Sequence, residues 1–509
     1  MSKTDYKVII VGTGFAGLGM GIKLKEAGYD DFLILERASE VGGTWRDNHY
    51  PGCACDVPSH LYSFSFEQNP DWSRRYASWS EIGQYLRDTT QKYGLYPHIQ
   101  FNAAMKSARY DEANGIWTVD TGETTYTAQI VVSAVGPLSN AAYPNVKGLN
   151  KFKGKTFHSA DWDHDYDLKG KKVAVIGTGA SAIQFVPEVA KVAGEMTLFQ
   201  RTPPWVIPKP DWEISGLSKK LYRHMPFVRQ ANRAMIYWTQ EVMLPLFLHS
   251  DSKLGSFGEA LSKAYIRKSI RDPETRAKVT PDYKIGCKRL LLSNNYFQAL
   301  DKDHVNVVTD GIAEVTAKGI KTNSGEEVNV DAIIYGTGFK VSEPMMGIDV
   351  VGRGGRNLNE VWQKNGFESY LGTSMSGFPN FYTLAGTNTG IGHTSLVFMI
   401  EAQITYLMQL IQKMDHLQVK SIDLQESVQN DFNREIQAKM DGTVWTSGCN
   451  SWYLADTGKN FTIWPDYTFR FWRRTREFDL ACYDVEYCDA EVESGTQKET
   501  VAQASLASA

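Results

Sequence analysis

The sequence predicts an α/β protein that carries one strand–turn–helix unit twice and a helical insertion between later segments. Three observations lead there. Two compact apolar runs, Lys7 to Val11 and Lys172 to Ile176, each enter a glycine-rich turn. In both units a second strand follows and ends 24 positions after the first glycine of the turn. Between Leu217 and Arg276, apolar residues recur at three- and four-residue spacing, the period of a helix.

The run KVIIV reads as a strand of a parallel sheet buried on both faces. Gly12-Thr13-Gly14-Phe15-Ala16-Gly17 follows, then a helical pattern through Lys25, then the strand Phe32 to Leu35 ending at Glu36. In such a G-x-G-x-x-G turn the first glycine permits the tight bend. The second lets backbone N–H groups approach a pyrophosphate, and the third lets helix and strand pack closely. The second unit runs KVAVI, Gly177-Thr178-Gly179-Ala180-Ser181-Ala182, a helix, and the strand Met196 to Gln200 ending at Arg201.

The two terminal residues differ in sign. A carboxylate at that point accepts hydrogen bonds from a free ribose 2′-hydroxyl and repels a 2′-phosphate, whereas a guanidinium pairs with phosphate oxygens. The first unit therefore suits FAD or NAD, and the second NADP, with the Thr202 hydroxyl as an added donor. Two Rossmann-like dinucleotide-binding domains, one of NADP type, imply a flavoprotein reduced by NADPH.

Bulk properties narrow the alternatives. A chain of 509 residues exceeds one hydrophobic core, and 42% apolar with 22% charged residues is ordinary for a globular protein. A net charge of −4 gives no reason to expect nucleic acid. The dense basic patch Arg470, Arg473, Arg474 and Arg476 alternates with Phe and Trp and reads as a solvated or capping face. The six cysteines have no regular spacing, so inert thiols in a reducing cytosol are expected, and neither a disulfide framework nor a metal set. Five glycines interrupt the uncharged run Val8 to Ile22, and Glu241 and Pro245 interrupt Ala234 to His249. Neither suits a membrane span, and the expected location is cytoplasmic.

Between the two units lies Phe152-Lys153-Gly154-Lys155-Thr156-Phe157-His158-Ser159-Ala160-Asp161-Trp162-Asp163, an F-x-G-x-x-x-H-x-x-x-W-D pattern. It resembles the fingerprint of type I Baeyer–Villiger monooxygenases; N- and S-oxygenating flavin monooxygenases usually carry Tyr or Phe in place of the Trp. The resemblance covers nearly the whole chain. Gly42-Gly43-Thr44-Trp45 and Tyr50 to Ser59 are similar to the family's flavin-lining segment, and Gly286-Cys287-Lys288-Arg289 to the segment with the active-site arginine. Tyr335-Gly336-Thr337-Gly338-Phe339 resembles an A-T-G-F strand end, with Tyr335 and Gly336 as departures, and Ser451-Trp452-Tyr453 resembles the site of a tryptophan that contacts NADP.

The resemblance implies oxygen insertion beside a ketone carbonyl, using O2 and a C4a-peroxyflavin. It places Arg289 at the reacting oxygen with Asp56 as its partner, and Lys288 beside Arg201 on the 2′-phosphate. Gly43, Thr44, Trp45, Val57, Tyr62 and Met105 fall where family members contact FAD. Within the fingerprint, Phe152, Gly154, His158, Trp162 and Asp163 are read as positioning the two domains. The Gly386 to Ser395 loop enters an apolar helix, Leu396 to Ile411, whose positive end would face the flavin. The C-terminal pattern points to open-chain aliphatic or aryl ketones.

Both domains are expected to be interrupted in sequence. FAD binding takes 1–142 and 340–490, NADP binding takes 143–208 and 289–339, the helical insertion takes 209–288, and 491–509 is a disordered tail. Met235, Tyr237, Trp238, Met243 and Phe247 of the insertion read as core. The rival readings are an N- or S-oxygenating monooxygenase, a disulfide reductase, for which Cys53 and Cys55 have the wrong spacing, and a non-catalytic flavoprotein.

Overall fold

A computed structural model describes residues 4–341, 345, 347–455 and 457–488; the expected disordered tail lies outside them. Two sheets organise the chain. The larger has the strand order Asp349–Val351, Ser107–Asp111, Ile116–Asp120, Thr125–Ser133, Tyr6–Val11, Phe32–Leu35, Ile99–Gln100, and Phe381–Thr383 also pairs with Thr125–Ser133. The smaller is wholly parallel: Val305–Val308, Glu195–Phe199, Lys172–Ile176, Ala332–Tyr335, Lys155–His158. Its strands thus come from two separated stretches of sequence, and so do those of the larger sheet.

The apolar runs form strands because both their faces are covered. Val8, Ile9 and Ile10 have no exposed surface, nor do Val173, Ala174 and Val175. Burying each Val or Ile contributes about 1.5–3 kcal/mol relative to exposure. Each glycine turn leads into a helix, α1 (Phe15–Glu26) in the first unit and α2 (Ala182–Val192) in the second.

The insertion is a set of helices where the periodicity suggested one helical stretch throughout. They are α3 (Gly216–His224), α4 (Pro226–Glu241), α5 (Pro245–Leu248), α6 (Lys253–Ser269) and α7 (Pro273–Val279). Pro226, Pro245 and Pro273 stand at the starts of three of them, where a missing N–H costs nothing but the preceding helix cannot continue. The core reading of the insertion's aromatic and Met-rich part is corrected. Met235, Trp238 and Met243 are 62%, 54% and 41% exposed, while Phe247 is buried and Tyr237 half-buried. Helical periodicity shows that a face is apolar but not which way it points.

Two later helices complete the site region. The long α8 (Leu396–His416) starts at Ser395, whose hydroxyl accepts from the Val397 N–H. It crosses α1 so closely that a Cβ on Gly19 would fall 2.9 Å from Ile404 Cδ1. The short α9 (Thr468–Thr475) packs on α8.

Candidate active site

The first glycine turn is tightly built. Gly12 has φ +109°, and a Cβ there would meet the Ala134 carbonyl oxygen at 2.7 Å. On Gly17 it would meet the Gly12 carbonyl oxygen at 1.9 Å. Phe15 and Ala16 are buried. At the end of the second strand Glu36 is 3% exposed. Its carboxylate accepts from the Thr13 N–H at 3.1 Å, the Thr13 hydroxyl at 2.5 Å, the Ala38 N–H at 2.9 Å and Arg46 at 2.9 Å. Gly43, at φ +51°, brings its backbone against Gly14, with space for backbone only. Thr44 and Trp45 open the turn of helix that follows. Trp45 Nε1 donates to Tyr62 Oη at 3.1 Å, and the Tyr62 ring meets Phe15 edge-on at 5.2 Å. Val57 and Met105 are buried nearby in the same half of the molecule. A narrow backbone cradle with a carboxylate at the strand end fits a dinucleotide whose ribose hydroxyls are free.

The second turn repeats this path with other side chains. Gly177 has φ +108°, and a Cβ there would lie 2.3 Å from the Gly336 carbonyl oxygen. Thr178 Oγ1 donates to the Thr202 carbonyl at 3.0 Å. Gly179 and Ala180 are exposed, Ser181 is partly so and Ala182 is buried. Where the first unit has glycine at its third small position, this one has Ala182. A Cβ on Gly336 would stand 3.1 Å from the Ala182 Cβ. The Gly336 departure from A-T-G-F therefore makes room for the alanine. Arg201 is exposed, and its charge depresses the pKa of Lys288 below the ordinary lysine value, second to burial. Two cations near each other, with the Asp282 carboxylate also acting on Lys288, suit a phosphate dianion.

Between the turns, Arg289 Nε donates to Asp56 Oδ2 at 2.8 Å, with a second approach of 2.6 Å from the terminal nitrogen. Arg289 also reaches the Ile391 carbonyl at 3.5 Å. The Asp56 carboxylate raises the pKa of Arg289 further above its ordinary value, outweighing burial. The pair is 30% and 31% exposed, so both charges remain open to an incoming molecule. Phe247 of the insertion packs against Gly286, three residues before Arg289. A Cβ on Gly286 would fall 2.7 Å from its ring, which stacks on Trp445 at 6.0 Å.

The fingerprint residues lie where sheet, helix and crossing strand meet. His158 stands opposite Tyr335 in the parallel register and accepts from the Ala160 N–H at 3.0 Å; burial pushes its pKa down. Trp162 packs on Phe157 and on Phe185 of α2, with centroids 5.0 and 5.3 Å apart. Asp163 pairs with Lys155 and accepts the N–H of Asp165 at 2.9 Å. Gly154 touches the Asp331 carbonyl, and Phe152 joins the small apolar cluster around Ile320.

Comparison with known proteins decides the family. The profile of the pyridine nucleotide-disulphide oxidoreductases matches residues 9–225. A Baeyer–Villiger monooxygenase of Pseudomonas aeruginosa is 48% identical over 482 residues, covering 94% of this chain and 91% of that protein. One from Streptomyces coelicolor is 46% identical, covering 94% and 92%. The chain belongs to the Baeyer–Villiger monooxygenases. As a member it is an oxidoreductase working with FAD and NADPH, the pair that the two turns imply. Among solved structures, cyclohexanone monooxygenase from Rhodococcus sp. Phi1 bound to NADP+ superposes with TM-score 0.85 at 26% identity, over 96% of this chain and all of that one. A steroid monooxygenase bound to NADP gives 0.83 at 28%, over 96% and 100%.

Several site features of the monooxygenase were not legible as sequence. Tyr453, buried beside Arg289 and Asp56, has its phenol pKa pushed up to about 12 by burial, while its neighbour Trp452 is 44% exposed. Lys209 donates to the Cys55 carbonyl at 3.1 Å, lies near Asp56, and is lowered in pKa by burial. Gln184 of α2 donates to the Ala54 carbonyl at 2.8 Å and accepts from Tyr50 Oη at 3.0 Å, so the second unit's helix clamps the Tyr50 to Ser59 segment. The cysteine expectation is corrected. Cys53 and Cys55 are buried thiols, the first pushed up to about 12, but Cys287 and Cys449 form a disulfide. They are 162 positions apart, and only the meeting of the Arg289 and Trp452 segments brings them together. Among the described residues no cluster could hold a metal ion, and no helix is long and apolar enough to cross a membrane.

Proposed function

We propose that the monooxygenase converts open-chain aliphatic or aryl ketones to esters, with Arg289 as the charge that stabilises the negatively charged oxygen. FAD occupies the turn at Gly12, Gly14 and Gly17 with Glu36, and Gly43, Trp45, Tyr62 and Met105 line it. NADPH occupies the turn at Gly177 and Gly179, with its 2′-phosphate on Arg201, Thr202 and Lys288. The larger sheet is then the FAD domain and the smaller the NADP domain, interrupted as the sequence suggests. The observation that carries this reading is the Arg289–Asp56 pair, placed between the two turns and left partly open.

Bound flavin supplies the activation of O2. The protein's own work is electrostatic. Arg289 keeps its charge at any working pH, so it stabilises an anionic oxygen without giving up a proton. Asp56 fixes the direction of that charge. A charge that is only partly exposed attracts more strongly than one in open water. Removing one such donor costs about 3–4 kcal/mol. His158, Trp162 and Asp163 act by holding the two sheets in register.

The test is NADPH consumption by FAD-loaded protein with a medium-chain 2-ketone, and mass spectrometry of the product. Ester formed in step with NADPH use, and abolished in Arg289→Ala with FAD retained, supports the reading. NADPH use that yields only hydrogen peroxide, while a sulfide or amine is oxygenated, overturns it in favour of N- or S-oxygenation.

A further inference from the structure

The helix α4 buries two charged residues, Arg233 and Glu241, beside Ile236. Its inward side carries polar and charged groups. Arg233 donates to the carbonyls of His60 and Leu61 at 2.7 and 3.2 Å and lies 4.0 Å from Glu401. Glu241 is 1% exposed and accepts the Thr468 N–H at 3.2 Å, fastening α4 to the start of α9. The outward side is apolar. Phe227, Met235, Trp238 and the following Val242 are 62%, 62%, 54% and 68% exposed, and Ala231 and Ala234 are exposed between them. These positions recur at three, four and seven residues, so they form one ridge along the helix. A ridge of this length has no counterpart on an ordinary soluble surface, where exposed apolar residues are scattered singly.

The neighbouring helices extend the same chemistry. α3 packs on α4 and exposes Leu217, Leu221 and Met225. On the other side Trp238 meets Phe469 at 5.9 Å, which brings in the Arg-rich aromatic stretch of α9 with Trp472 exposed at 42%. From Ile214 to Ser250 the only acid is Glu241, which is buried, against Lys219, Lys220, Arg223, Arg229 and the buried Arg233; the flanking acids Glu213 and Asp251 pair with Arg74 and Lys284. Arg223 pairs with Asp71 and Arg474 with Glu435, whereas among the described residues Lys219, Lys220 and Arg473 are in no ion pair, and Arg476 lies over the Trp472 ring at 4.7 Å. An exposed apolar ridge bordered by unpaired cations, with tryptophan at its edge, is the pattern of a helix lying in the plane of an anionic lipid surface.

We propose that the α3–α4 face with α9 docks the monooxygenase on anionic membranes. A symmetric second copy fits the ridge poorly, because it would set these cations against themselves. The docked helix is followed by α5, whose Phe247 packs against Gly286 in the Arg289 segment, so an apolar ketone dissolved in the bilayer would reach that segment from the same side. The surface stands on exposure and charge alone and does not depend on the reaction assigned above.

Flotation of the FAD-loaded enzyme with vesicles tests this. The enzyme is expected to float with phosphatidylcholine–phosphatidylglycerol vesicles, much less with phosphatidylcholine alone, and less as salt is raised. Val242→Glu and Trp238→Glu should each abolish flotation, with the melting transition, FAD content and turnover of a water-soluble ketone unchanged. Lys219→Ala and Lys220→Ala should each weaken binding about fivefold. Failure to float with anionic vesicles overturns the proposal, as does flotation that both glutamate variants retain. A dimer seen by light scattering and dissolved by Val242→Glu would also overturn it, giving the ridge to a second copy.

Discussion

The two glycine turns of this molecule share a backbone and differ in everything attached to it. Gly12 and Gly177 adopt φ of +109° and +108°, each backed by the carbonyl of a neighbouring strand end. Around the first, Phe15, Ala16 and Glu36 are buried, and the carboxylate already has three protein donors besides a guanidinium. Around the second, Gly179, Ala180 and Arg201 are exposed, and Lys288 is half-buried beside a like charge. A carboxylate satisfied by the protein is stable whether or not a nucleotide is bound, and its cradle is set in the core. Two neighbouring cations that repel each other gain when a phosphate arrives. On the proposed assignment, the first turn retains its cofactor and the second takes one up and releases it.

The comparison is broken most severely at the backbone. Gly12→Ala needs a Cβ where the Ala134 oxygen stands and a φ that alanine avoids, so FAD should be lost altogether, read as absent flavin absorbance in the purified protein. Charge comes next. Arg201→Glu should raise the KM for NADPH roughly 100-fold, a loss of about 3 kcal/mol for a charge-assisted phosphate contact, while leaving FAD content and the KM for NADH nearly unchanged. Equal loss with both coenzymes would show that Arg201 does not read the 2′-phosphate. Packing is third. Gly336→Ala should destabilise the protein by about 1–3 kcal/mol, because its Cβ would stand 3.1 Å from both the Ala182 Cβ and the Phe185 ring, and adding Ala182→Gly should restore only part of that loss in a denaturant melt.

Local patterns were legible because they are local. The strand–turn–helix units, the acid or arginine 24 residues on, and the fingerprint all act through spacing along one stretch of chain. What escaped depended on long-range contact. Gln184 reaches Ala54 across 130 positions, and Cys287 reaches Cys449 across 162. Tyr453 rather than Trp452 is the buried member of an aromatic pair, and sequence cannot tell which ring turns inward. The insertion shows the same limit most fully. Its period gave the helices, yet Met235 and Trp238 face out because the inward positions are held by Arg233 and Glu241, whose partners lie on distant segments.

The smallest effect lies in the charge balance of the second turn. Lys288 has a pKa below that of an ordinary lysine, first through burial and then through Arg201. A lowered pKa means that the ammonium form, which attracts phosphate, is lost earlier as pH rises than for an ordinary lysine. The KM for NADPH should therefore climb a few-fold at alkaline pH, before an ordinary lysine near 10.4 would titrate, with the contribution held to about 0.5–1 kcal/mol by the group's partial exposure. NADH, lacking the 2′-phosphate, should show no such rise, and Lys288→Arg should flatten the NADPH profile because a guanidinium does not deprotonate in that range. An NADPH profile that Lys288→Arg leaves unchanged would assign the alkaline limb to another group and leave Arg201 as the determinant of the phosphate site.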